Sequence, residues 1–187
     1  MVPDDDGVNN SGRGTRRAAI LVLCAVLMAP APAGAMLVEQ ELPGVFAALL
    51  GQWTGEGTLF GRDARYEMEW SRTLNDSFVH LQFSNGFVGE QQGDVTPVVT
   101  ASAYYRPDAD DAGAASGTWF DTRGVMLPLS ASVTADTLTT LWGDATTERG
   151  RTTYRIAGPN RVEVTDEVMR EGEYSVFARA TYDRAQD

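Results

Sequence analysis

Cysteine and histidine are almost missing from this sequence, which has one of each, Cys24 and His80, in 187 residues. That excludes a disulfide framework, a Cys-rich metal site and a poly-His site. Basic residues are scarce too, fifteen against twenty-six acidic ones, for a formal net charge of −11. Nucleic acid, whose phosphates demand a basic footprint, is a poor partner for such a chain, and so is an anionic membrane surface. The longest apolar run, Ala18 to Ala29, has twelve residues. A bilayer-spanning helix needs about 20. Serines are numerous, but none sits in a Gly-x-Ser-x-Gly elbow, and no Gly-rich phosphate loop occurs. The hydrophobic content of 43% is enough to build a core.

Residues 1–35 read as an export signal. Arg13, Arg16 and Arg17 precede the apolar run, Pro30 to Pro32 breaks it, and Ala33-Gly34-Ala35 is a cleavage signature. The expected location is therefore periplasmic or secreted, with 36–187 as a single folded domain. The leader carries three Asp and three Arg, so the remaining 152 residues (187 − 35) keep the whole negative charge and have no Cys. Such a domain must be held by its core alone, without thiol chemistry.

That domain opens on a short helical signal. Pro43 precedes Gly44–Leu50, Gly51 follows, and Val45, Phe46, Leu49 and Leu50 share one face. From Gly51 on, the period drops to two. About ten strands are expected, near 52–60, 66–74, 77–83, 96–106, 117–123, 125–133, 137–142, 146–157, 161–168 and 173–182. Short turns join many of them, among them Asn75-Asp76, Arg123-Gly124, Gly158-Pro159-Asn160 and Glu171-Gly172. Ten consecutive antiparallel strands do not stay open comfortably. The expected fold is all-β, a single up-and-down barrel with a short N-terminal helix over one end.

The turn at Asn75-Asp76 sets the facing. If Leu74 pairs with Ser77, then Tyr66, Met68, Trp70, Arg72 and Leu74 share a side with Val79, Leu81 and Phe83, and that apolar side is the interior. His80 then falls outside with Phe78 and Gln82. Arg72 points inward, where it needs either an internal carboxylate or an anionic ligand. Aromatics in other strands, Trp119, Trp142, Tyr104, Tyr105 and Phe120, are either core or cavity lining. Asp108 to Gly113 has the acidic look of a calcium loop but lacks the later Glu, and reads as a solvated loop. Glu67 and Glu69 alternate on the outer face.

The most specific local pattern is Gly51-Gln52-Trp53-Thr54-Gly55-Glu56-Gly57. Trp53 can close one end of a barrel, while Gly55 and Gly57 on its face permit close packing. With the helix before it, the strand Tyr66–Leu74 and the closing Tyr182-Asp183-Arg184, this pattern resembles a bacterial family of exported lipocalin-like, fatty-acid-binding-protein-like small barrels of unknown function. The resemblance runs from Leu49 to Arg184 and implies a calycin-type barrel. A more distant likeness, through the same opening strand, is to nitrobindin, a ten-stranded haem-binding barrel. The stretch corresponding to its haem-ligating histidine, Phe177 to Tyr182, contains no His, so no cofactor is expected.

The expected role is non-catalytic binding or carriage of a small apolar or amphipathic molecule. The candidate lining is Trp53, Tyr66, Met68, Trp70, Val79, Leu81 and Phe83, with Arg72 and Tyr66 orienting a polar head. Two other roles fit the same scaffold. One is an isomerase- or cyclase-type enzyme, marked by an inward acid or Tyr beside an open cavity. The other is a structural envelope protein with a filled barrel.

Overall fold

The computed structural model describes residues 42–91 and 93–186. The leader expected at 1–35, with Cys24, lies outside the described residues. One helix, α1 (Gly44–Leu49), precedes ten strands. They are β1 (Gly51–Leu59), β2 (Arg62–Thr73), β3 (Phe78–Val88), β4 (Val95–Pro107), β5 (Ala114–Asp121), β6 (Met126–Val133), β7 (Thr137–Trp142), β8 (Gly150–Gly158), β9 (Arg161–Arg170) and β10 (Glu173–Arg184). Each strand pairs antiparallel with the next, and β10 returns to β1, so the sheet is a closed barrel without edges. No helix among the described residues is long and apolar enough to cross a membrane.

Two-residue periodicity is the cause of this closure. Along β6 every second residue, Leu127, Leu129, Ala131 and Val133, is buried, while those between are exposed. The outer face is polar and is bound together by cross-strand ion pairs, such as Arg151 with Glu167 and Arg155 with Glu163.

The β2–β3 hairpin keeps the expected register, with Met68 opposite Phe83, Trp70 opposite Leu81 and Arg72 opposite Val79. The expectation for Leu74 is corrected. The strands end at the Thr73–Phe78 pair, and Leu74, Asn75 and Asp76 are all left-handed, with φ of 52°, 54° and 62°. That turn carries Leu74 out of the sheet, leaving it 63% exposed. His80 does face outward, stacked on Tyr104 with ring centroids 4.4 Å apart. Burial lowers its pKa, against the opposing pull of Glu69. In the Asp108–Gly113 loop, Asp108 accepts the backbone N–H groups of Asp110 and Asp111, an Asx-type turn.

Helix α1 closes one end of the barrel. Val45, Phe46 and Leu49 are fully buried, and the Phe46 ring lies 6.3 Å from that of Trp70 and 5.7 Å from that of Tyr105. The indole of Trp53 donates to the Leu49 carbonyl at 2.7 Å. Arg184 lies over the face of the same indole, 4.1 Å from its centroid, and donates to the carbonyls of Ala48 and Leu50. Those carbonyls belong to the last turn of the helix, which has no further turn to receive them. Cation, ring and helix end thus form one sealed joint.

Candidate functional site

The opposite end of the barrel is hollow. A cavity of ≈ 280 Å³ reaches from the mouth formed by the β1–β2, β5–β6 and β7–β8 connections down to Tyr105, Tyr154 and Tyr182. An engineered cavity of about 150 Å³ accommodates benzene, so by proportion this one has room for about ten heavy atoms. Its walls are mostly apolar, from Phe83, Trp119, Leu127, Leu129, Trp142 and Val164 among others. A broader hollow of ≈ 700 Å³ lies on the outer face of β1–β5. It is shallow and lined by surface residues such as Glu67, Glu69, Gln82 and Ser102, so it encloses nothing.

A β-bulge shapes the mouth. The β9–β10 register shifts between Val176 and Ala178, leaving Phe177 unpaired. A bulge re-aims the extra side chain; here Phe177 lines the cavity and stacks on Phe60, with centroids 5.3 Å apart. Phe60 is 60% exposed, an apolar lip at the opening. Across the mouth, Arg123 bridges Asp121 and Glu148, each at 2.7 Å. Burial works against the charge on Asp121, but hydrogen bonds from Arg123 and the Trp119 indole outweigh it and hold its pKa down.

The polar groups deeper in the cavity are few. Asp166 belongs to the inward row Val162, Val164, Asp166, Val168 of β9. Its Oδ1 accepts the Thr152 hydroxyl at 2.6 Å. Its Oδ2 has no hydrogen bond to a described residue and is not sealed away from the cavity surface. Burial raises the Asp166 pKa to about 6, against the lowering effect of Thr152. Tyr105 shares a hydrogen bond with Thr140 at 3.2 Å, and burial pushes its hydroxyl up to about 12. Burial also raises Tyr154 and Tyr182 well above the ordinary phenol range. These phenols stay neutral donors and acceptors at any physiological pH.

Of the eight residues expected to line the site, Phe83 lies on the cavity wall. Trp53, Met68, Trp70, Val79 and Leu81 are buried in the half packed against α1. Tyr66 stands at the boundary, its ring tilted against those of Phe83 and Tyr182, with its hydroxyl donating to the Thr58 carbonyl at 2.9 Å. Arg72 is half-buried at the α1 end, two positions beyond Trp70, and has no ion pair among the described residues. It does not reach the cavity lining. Asp166 and Thr152 are not among the expected lining residues, although the alternation of Val162, Val164 and Val168 puts Asp166 on the apolar face. Of the five strand aromatics expected in core or lining, Trp119, Trp142 and Tyr105 are on the wall, whereas Tyr104 and Phe120 alternate to the outer face, the first stacked on His80 and the second exposed.

No family model matches the sequence, and no curated protein matches it. Several solved structures share the fold. Rv2717c from M. tuberculosis superimposes with a TM-score of 0.60 at 17% identity, covering 78% of this chain and 100% of that one. The S-type phycobiliprotein lyase CPES from Guillardia theta gives a TM-score of 0.53 at 8% identity, covering 76% and 91%. At such identities the likeness is one of architecture, and the chain is a lipocalin-like closed β-barrel of ten strands.

Proposed function

We propose that this protein binds or carries a small, largely apolar molecule inside the barrel, admitted at the end away from α1. The observation that carries the reading is the ≈ 280 Å³ cavity, with apolar walls and a few polar groups at its depth. That is the usual build of a small-molecule site. A space of this size, equal to about nine waters at roughly 30 Å³ each, also sets the barrel apart from a filled structural one. The phycobiliprotein lyase among the structural neighbours acts with the same barrel architecture, which supports a ligand-handling role. The pattern in 1–35, three Arg before an apolar run and then Ala33-Gly34-Ala35, supports a periplasmic or secreted location.

Native mass spectrometry of the mature protein purified from its own host tests the reading. The expected result is a species heavier than the polypeptide by one small molecule, and its loss in Val168→Trp, which places an indole in the cavity. Protein that is always bare, together with no binding of octan-1-ol by calorimetry, would remove it.

One observation favours a second reading, an isomerase- or cyclase-type enzyme. Asp166, an inward carboxyl with a pKa of about 6 beside neutral phenols, has the character of a general acid–base. The same experiment separates the two. A carrier holds in Asp166→Asn the wild-type molecule, in equal or smaller amount, whereas an enzyme accumulates a different one in the variant.

A further inference from the structure

The interior of a barrel is a costly place for an unmatched carboxylate, and Asp166 has no cationic partner there. Every basic side chain in this chain is an arginine. Arg123 at the mouth is taken up by Asp121 and Glu148. Arg170, four positions along the same strand, also lines the cavity, but at its exposed mouth, about 13 Å away at the usual strand rise, and it forms no ion pair with Asp166. Arg72 is at the other end of the barrel. Among the described residues only the Thr152 hydroxyl hydrogen-bonds the carboxylate, and it meets one oxygen of two. The free oxygen faces the cavity, and Tyr105, Tyr154 and Tyr182 line the same space.

A carboxylate with one open oxygen among aromatic walls is complementary to an ammonium group. The carboxylate supplies the counter-charge and a hydrogen-bond acceptor, and ring faces attract cations. A metal ion is less well served, since among the described residues no group of three His, Cys, Asp or Glu gathers anywhere. The net charge of −11 draws cations toward the protein from a distance. We propose that the cavity takes an amphiphile of about ten heavy atoms bearing a protonated amine, with Asp166 as its counter-ion and the apolar walls enclosing the rest. This rests on the reading of the cavity as a ligand site and names the chemical class of its ligand. It reverses the polarity expected from Arg72, which suited an anionic head.

Three probes of one length, octylamine, octan-1-ol and octanoate, test it by calorimetry with the mature protein at about pH 8, where the amine is charged. The expected order is octylamine tightest, about tenfold or more ahead of octanol, and octanoate weakest. In Asp166→Asn the octylamine advantage falls to about twofold or less, while octanol binds as before and so reports an intact cavity. The wild-type ranking needs no variant. Octylamine and octanol of equal affinity, or octanoate the tightest, overturn the amine assignment and leave the cavity reading standing. An octylamine advantage that survives in Asp166→Asn overturns the role of Asp166. Failure of all three probes to bind removes the cavity reading itself.

Discussion

The ring of Tyr182 occupies the place where Gly55 would carry a side chain: a Cβ built on Gly55 falls 2.7 Å from Cδ1 of that ring. The two residues are partners in the β1–β10 register, Gly55 opposite Tyr182. The glycine therefore lets a large aromatic lie flat at the foot of the cavity. Its neighbour Gly57 is tighter still, with a Cβ falling 1.9 Å from the Arg179 carbonyl oxygen. The opening Gly-x-Trp-x-Gly-x-Gly pattern is thus a packing device, with each glycine answering a specific neighbour.

Substitution at these glycines should be graded by what the new methyl meets. Gly57→Ala collides with backbone and is expected to cost about 3 kcal/mol or more, and Gly55→Ala about 1–3 kcal/mol, through displacement of Tyr182. Gly158→Ala meets nothing within 4 Å and should stay within about 0.5 kcal/mol of wild type. Urea unfolding of the three variants checks the order; a Gly158 variant as damaged as Gly57→Ala would contradict it.

Removing the charge of Asp166 should change how stability depends on pH. The groups facing it are Thr152 and Tyr154 of β8, Tyr105 of β4, Tyr182 of β10 and Tyr66 of β2, with Glu167 beside it on β9. Burial raises its pKa from 3.8 to about 6, so between those values the folded chain binds the extra proton. Stability from this group is therefore present at low pH and lost as pH rises through about 6. Asp166→Asn is expected to be more stable than wild type near pH 7, with the gap closing toward pH 4. Thermal melts across this range decide; a gap that widens on acidification would refute the assignment.

The joint at the closed end offers a third test. Arg184→Met keeps most of the volume over Trp53 but loses both hydrogen bonds to the helix carbonyls. A loss of about 1.5–3 kcal/mol is expected, since these bonds involve a charged donor. Near-UV circular dichroism should change as Trp53 loses its cover. Binding of octanol at the far end should be unchanged in the fraction that remains folded.

Arg72→Ala and Asp166→Asn should differ in their effect on ligands. Arg72 lies at the α1 end and outside the cavity lining, so its loss should leave the affinities for octylamine, octanol and octanoate within about twofold. A selective loss of octanoate binding in Arg72→Ala would show that an anionic head reaches the closed end after all.

Much of this architecture could be read before any coordinates. The alternation Tyr66, Met68, Trp70 against Val79, Leu81, Phe83 gave both the inner face and the register of the β2–β3 hairpin, because a one-residue slip would have turned every apolar side chain outward. Leu74 escaped the pattern because three successive left-handed residues make a turn in which alternation has no meaning. The site itself was harder. Period two tells which face a residue takes but not how deep it sits along the barrel, and the half nearest α1 is filled by that helix. Trp53 and Trp70 were correctly placed inside, yet in the packed half. Asp166 carried a readable sign, a lone carboxylate in a row of valines, but a single polar residue in a strand does not reveal whether it meets a partner or an empty space.

The pairing of β1 with β10 has a consequence in time. Trp53 finds its opposite number only at Arg184, so the ring of hydrogen bonds cannot shut until the final strand has been made and delivered. Until then β1 keeps one edge open and the greasy lining is accessible to other chains. Assembly should accordingly be slow and dominated by this last long-range encounter, and a chain truncated before Glu173 should gather into aggregates where the full-length one stays dispersed.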